Sequence, residues 1–285
     1  MDFRSRGEKI FNVFNIILLV MLGICTQYPF WYVLVASLSD YGQFKMTAFM
    51  WRPVGFTWNA YARVLTEKDI LTGFRTTIIL MILRMSGAML FTICSAYVVS
   101  RRKAMLAPIL MMVIIIPMFF NPGIIPNFQN VVSLGLNNTI WALVLPQMID
   151  GFNTIILRNA YEAIPHDLEE AASIDGATQV QILFRVMLPL VVPTLMVVVL
   201  YYAVAIWNMW FDAMLYIKDR GLFPLQLVLR QILIESEQVG ESDGEVMAET
   251  VQYAVMIVAT VPILVVYPFI QKYFVKGMTV GAVKG

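Results

Sequence analysis

The chain has 285 residues, of which 59% are hydrophobic and only 14% charged. Soluble domains carry roughly 25% charged residues, so this composition cannot supply a water-facing surface, and the chain is expected to cross a membrane several times. A net charge of +1 argues against the clustered Lys and Arg by which proteins grip nucleic acid. Cys25 and Cys94 lie in apolar runs, without CxxC or zinc-site spacing, so neither a metal site nor a redox motif is read from them.

A helix needs about 20 apolar residues to cross the hydrocarbon core. Residues 10–39 carry no charge, 76–100 carry only Arg84, and 104–149 carry none. The long third tract is interrupted by Pro117, Asn121-Pro122-Gly123, Pro126 and Gly135-Leu136-Asn137-Asn138, so it reads as two helices joined by an irregular turn. Residues 186–211 and 250–271 complete six predicted spans, at about 10–39, 75–100, 104–120, 138–158, 188–212 and 250–271. The first follows Arg4, Arg6 and Lys9. Its apolar run far exceeds the roughly 7–15 residues of a signal peptide, and no small-x-small cleavage site closes it. An uncleaved helix is expected. Pro189, Pro193, Pro262 and Pro268 are expected to kink the last two spans.

The Lys/Arg asymmetry sets the orientation. With the N-terminus inside, the inner segments hold Arg4, Arg6, Lys9, Arg101, Arg102, Lys103, Arg158, Arg185, Lys272, Lys276 and Lys284, against Lys45, Arg52, Arg63, Lys68, Lys218, Arg220 and Arg230 outside. Both termini are therefore expected in the cytoplasm. The outer segments 40–73 and 218–249 are long enough to touch a partner.

The inner loop 159–188 has a shape of its own. Asp167 followed by Glu170 fits a capping box, Ala171 and Ala172 favour helix, Gly176 can end it left-handed, and Thr178 with Gln181 fits a second capping box. The prediction is helix, glycine turn, helix, with the second helix running up to Pro189. Leu168, Ala171, Ala172 and Asp175 fall on one face, which suits docking onto a cytoplasmic partner. An interfacial hairpin with ordinary caps accounts for the same residues.

Residues 170–189 read E-A-A-S-I-D-G, then nine further residues, then V-M-L-P. This resembles the EAA loop of ABC importer permeases, with Val186 where the pattern has Ile. Trp207-Asn208, Pro224-Leu225-Gln226, Tyr267-Pro268-Phe269 and the stretch from Lys276 to Gly285 resemble the carbohydrate-uptake, MalG-like branch of binding-protein-dependent importers. The resemblance implies that Glu170, Ala171, Ala172, Asp175 and Gly176 couple the permease to an ATPase, near which the tail after Lys272 would also lie. It further implies a second permease subunit, two ATP-binding subunits that hold ATP and Mg, and an extracytoplasmic solute-binding protein. No G-x-x-x-x-G-K-[ST] phosphate loop occurs in the sequence, so the chain is not expected to be an enzyme or to hold a cofactor or metal; hydrolysis would belong to a partner.

Two charges fall deep inside predicted spans, away from their ends. Arg84 and Asp150 lie at matched depth, roughly 13–17 Å from the outer ends of their helices. Each should face protein or water, because a bare charge there costs at least about 2.5–3.5 kcal/mol. Three readings stand open: the two pair with each other, one or both line the substrate path, or each meets the other permease. On the path, Arg84 would suit an acidic sugar, since guanidinium binds carboxylate bidentately. Tyr201, Trp207 and Asn208 are further path candidates, as aromatic faces stack on sugar rings. Trp210 and Asp212 read better as an outer interfacial belt. His166, the one histidine, is read as structural.

The expected fold is all-α: a single transmembrane permease domain over 1–285, with six helices in the cell membrane of a prokaryote and a cytoplasmic helix-turn-helix coupling loop, the type I ABC importer permease. The expected function is ATP-driven sugar or oligosaccharide import by alternating access. Three alternatives remain: a secondary transporter with Arg84 and Asp150 as an ion or proton relay, an ABC permease for a peptide or amino acid, and a non-transporting membrane scaffold.

Overall fold

The computed structural model describes residues 6–44, 46, 50–101, 104–239 and 250–265, and every regular element among them is helical. The principal helices are α1 (Arg6–Ser37), α2 (Lys68–Val99), α3 (Ala107–Phe119), α4 (Ile124–Ser133), α5 (Gly151–Glu162), α6 (His166–Ile174), α7 (Gln179–Leu190), α8 (Val192–Trp207), α9 (Leu225–Val239) and α10 (Thr250–Val265). They form two compact units, one drawn from Met1–Glu67 and Gln231–Thr260, the other from Lys68–Arg230 and Val261–Gly285. Among the described residues, α1 from Ile10 onward and α2 are each long and apolar enough to cross a membrane, and α7 with α8 could make a third crossing as one bent pair.

In the first unit, Val35, Ala36, Phe44 and Met50 are buried, with Tyr32, Val54 and Tyr253 packed on them. Tyr253 meets the rings of Tyr32 and Phe44 at 5.9 and 5.7 Å. The Ser39 hydroxyl closes the end of α1 by donating to the Val35 carbonyl at 2.7 Å and accepting from the Val54 amide at 3.1 Å.

The second unit is organised along α2. This helix runs for 32 residues without a proline, about 48 Å at 1.5 Å per residue. Its glycines allow close approach: a Cβ at Gly73 would stand 3.0 Å from Leu225 Cα, and one at Gly87 would stand 2.7 Å from Met148 Cε. The Leu225 amide donates to Thr77 Oγ1 at 2.9 Å near one end. The Thr92 and Tyr202 hydroxyls meet at 2.8 Å further along. Near the other end, Ala96, Tyr97, Leu157, Tyr161, Ile182, Leu183 and Met187 belong to one buried cluster.

Several expected boundaries are corrected. The helix expected over 138–158 is two pieces, Trp141–Val144 and α5, because Pro146 interrupts it and Asp150 starts a new helix. The turn expected before it contains α4, since Pro126 stands in that helix's first turn, where no backbone donor is needed. The span expected to reach residue 212 ends at Trp207, and a separate helix, Phe211–Tyr216, follows. The helix expected to stop before Pro189 continues through it. An 87° bend then separates α7 from α8 at Val191, between Pro189 and Pro193. Helix α3 spans only Ala107–Phe119, shorter than the expected 104–120. Pro262 stands within α10, while Tyr267-Pro268-Phe269 and the tail after Lys272 lie outside the described residues.

Candidate functional site

The loop 159–188 folds as helix, turn, helix. Helix α6 ends on Gly176 at φ +83°. The Ala177 amide donates to the Ala172 carbonyl at 3.0 Å and the Gly176 amide to the Ser173 carbonyl at 3.1 Å. This bond pair satisfies carbonyls that a helix end leaves free, and it requires the left-handed conformation glycine adopts without strain. The Thr178–Gln181 capping box forms in full. The expected Asp167 cap does not: α6 begins after Pro165 without a side-chain cap, and Asp167 stands inside its first turn. Asp167 and Glu169 in that first turn lie where the helix dipole favours negative charge. Past Gln181 the helix widens into a π turn over Ile182–Met187, with Ile182, Leu183 and Met187 buried.

The faces of α6 differ from the expected grouping. Glu170, Ala171, Asp175 and Gly176 are exposed, as are Leu168 and Ile174, and Ile174 reaches 85%. Ala172 instead turns toward the buried cluster, one turn from Glu169 on the same side. Glu169 pairs with Arg101. The Tyr97 hydroxyl donates to Glu169 Oε1 at 3.0 Å and lies 2.9 Å from the side-chain amide of Gln179. The Arg101 guanidinium lies over the Tyr97 ring at 4.3 Å, and Tyr161 meets that ring edge-on at 5.8 Å. Tyr97, Arg101, Glu169 and Gln179 were not legible from the motif. Their only local signal is the four-residue spacing of Tyr97, in the last turn of α2, and Arg101, just past its end.

The middle of α2 carries a second polar group. Arg84 is 4% exposed. It donates from Nη2 to Gln147 Oε1 at 2.5 Å, and Gln147 donates from Nε2 to Asp212 Oδ2 at 2.5 Å. Met209 Sδ lies 3.8 Å from Nη1, and the buried Nε has no partner among the described residues. Asp150 is elsewhere employed. It is the cap of α5, accepting from the Asn153 amide at 2.7 Å, rather than a mid-helix charge. Its carboxylate makes no ion pair with Arg84; the acid joined to Arg84, through Gln147, is Asp212. Trp210 is covered by Arg230 at 3.6 Å. Burial, and then the Asp212 charge, push the Tyr216 phenol above its ordinary range. Of the remaining path candidates, Tyr201 is exposed beside Phe152 at 5.7 Å. Trp207 is buried against Phe74 at 6.3 Å. Asn208 closes α8 by donating to the Val204 carbonyl at 2.9 Å. The Arg84 group thus gathers Gln147, Met209 and Asp212, of which only Asp212 stands out in the sequence.

Residues 88–280 match the family model described as the binding-protein-dependent transport system inner membrane component. The chain is 38% identical to Protein LplC of Bacillus subtilis (strain 168), with 99% of this chain and 97% of the relative aligned. It is 36% identical to the polygalacturonan/rhamnogalacturonan transport system permease protein YtcP of the same organism, over 98% of this chain and 99% of the relative. Among solved structures, a bacterial ABC transporter involved in the import of the acidic polysaccharide alginate matches with a TM-score of 0.89 at 31% identity. That match covers 96% of this chain and 100% of the other.

Proposed function

Because this chain belongs to the family of binding-protein-dependent transport system inner membrane components, we propose that it is one permease subunit of an ATP-driven importer carrying an oligosaccharide across a prokaryotic cell membrane. The observation that carries the reading is the α6–α7 hairpin. It is an ordered projection whose Glu170, Ala171, Ile174 and Asp175 side chains have no role in the chain's own core. Such a face suits a groove on an ATPase subunit. In this reading the chain has six spans and both termini in the cytoplasm, and the hairpin is cytoplasmic. A second permease, two ATPase subunits that bind ATP and Mg, and an extracytoplasmic binding protein complete the importer. Closure of the ATPases on ATP would shift the hairpin and favour one of two arrangements of the bundle, as alternating access requires. Purification in mild detergent tests the assembly: an ATPase and a second permease should co-purify. The reconstituted complex should take up oligosaccharide with ATP and no proton gradient. Uptake that follows the gradient and ignores ATP would refute the reading in favour of a secondary transporter.

A narrower reading concerns cargo charge. The Arg84 guanidinium has five donors but only one short hydrogen bond, to an exposed Gln147. A sugar carboxylate would satisfy it bidentately, consistent with the acidic polysaccharide handled by the solved relative. Arg84→Gln should depress uptake of uronate oligosaccharides more than that of neutral ones. Equal losses would assign Arg84 to helix packing.

A further inference from the structure

Helix α6 has no buried residue of its own. If this helix receives a push from a partner, something must hold it to the bundle, and apolar packing within α6 is confined to the half-buried Ala172. Ile164 and Ala177 on either side of α6, and Ile182, Leu183 and Met187 of the second arm, pack on the same buried cluster. What else ties α6 itself to the bundle is polar and gathers at the end of α2, on Tyr97 and on Arg101 just past it. Glu169 is paired with Arg101 and accepts from Tyr97, while Gln179, on the far side of the Gly176 turn, approaches the same Tyr97 hydroxyl. One phenol therefore touches both arms of the hairpin. Its own position is fixed by the edge of Tyr161 and by the Arg101 guanidinium stacked on its face. The Glu169 and Arg101 side chains are only 15% and 16% exposed, so water screens this pair far less than an open surface pair.

We propose that Tyr97, Arg101, Glu169 and Gln179 form a clamp that makes the hairpin and α2 move as one body, and that this clamp sets how much transport each ATP hydrolysis produces. These are positioning residues, and the proposal rests on the coupling role given to the hairpin above. The two adjacent acids divide the work. Glu169 faces inward and ties the hairpin to its own permease, whereas Glu170 faces outward and is free for the partner. Helix α2 then carries the displacement without a break from Tyr97 to Thr92, where it bonds Tyr202, and on to Arg84, about 20 Å from Tyr97. A push on the exposed face of α6 reaches the middle of the bundle because the joint at its base is stiff.

The test uses the whole importer in proteoliposomes, with ATP hydrolysis and oligosaccharide uptake measured on the same preparation. A bond to a charged group changes the occupancy of the clamped arrangement on the order of tenfold. Arg101→Ala and Glu169→Gln should therefore lower uptake per ATP by about that factor, with the ATPase still bound and turning over. Tyr97→Phe keeps the ring against Tyr161 and loses the hydroxyl; it should give a smaller fall in the same ratio, and it carries the test if the other variants do not assemble. The charge exchange Arg101→Glu with Glu169→Arg should recover part of the ratio lost in either single exchange, which a general loss of stability would not do. Unchanged uptake per ATP in Tyr97→Phe and Arg101→Ala overturns the clamp, as does an exchange no better than its parts. Loss of the ATPase from a Glu169→Gln complex that is otherwise intact overturns the division between the two acids. A wild-type complex without ATP-dependent uptake refutes the function itself, and the clamp with it, so the two failures are told apart by the wild-type arm.

Discussion

Gly176→Ala tests the hairpin by its backbone alone. The residue sits at φ +83°, and a Cβ there would meet no atom within 4 Å. Packing therefore contributes nothing to the effect, and what remains is the cost of holding an L-residue left-handed, about 1–2 kcal/mol. That corresponds to a shift of roughly 5- to 30-fold in the population of the observed turn. Asparagine tolerates this conformation better than alanine, so Gly176→Asn should recover much of the loss. Gly23→Ala is the matched control. It too has no atom within 4 Å of its Cβ, but it lies inside α1 at helical φ, where alanine is the better residue. The assay is ATP-dependent uptake in proteoliposomes, with ATPase activity measured alongside. Uptake should fall in the order wild type and Gly23→Ala, then Gly176→Asn, then Gly176→Ala. Alanine at 176 performing as well as glycine, or asparagine performing worse than alanine, would refute the backbone argument.

Two stability contrasts follow from the α2 contacts. Gly73→Ala sets a methyl against the Leu225 backbone, which is itself tied to Thr77, so it should destabilise the purified subunit by about 1–3 kcal/mol. Gly87→Ala meets only the tip of Met148, which can swing aside, and should cost less; a reversed order of melting temperatures in detergent would contradict this. Tyr202→Phe leaves Thr92 Oγ1 buried without the phenol partner it has at 2.8 Å. It should cost about 1–3 kcal/mol, and replacing Thr92 by Val in the same chain should return part of it. A double variant that melts below Tyr202→Phe would show that the hydroxyl pair is not the source of the loss.

How much of this was legible in the sequence depends on the range of the forces involved. The helix-turn-helix loop was, because Gly176, Thr178 and Gln181 act on backbone groups within a few residues. The all-helical class followed from composition and long apolar runs. The helix over 138–158 was misread because apolarity says nothing of continuity, while Pro146 and the Asp150 cap decide it. The same error put Asp150 in mid-helix and made pairing with Arg84 one of its three open readings. Gln147 and Met209 were invisible as partners, since they reach Arg84 from 63 and 125 residues away. Tyr97 and Glu169 are 72 residues apart, and only the packing of α2 on the hairpin brings them together. The EAA pattern directed attention to Glu170, Ala171 and Asp175, which face outward, and passed over Glu169, which with Ala172 makes the inward face.

The central claim is that a separate ATPase grips the exposed face of α6. A cysteine at Ile174, in a chain whose Cys25 and Cys94 have been replaced, tests it directly. Short cross-linkers applied to the purified complex should join position 174 to the ATPase subunit, and in intact cells the thiol should react only with reagents that cross the membrane. Modification at 174 by an impermeant reagent from outside, or a failure to cross-link in an assembled complex that hydrolyses ATP, would contradict the account.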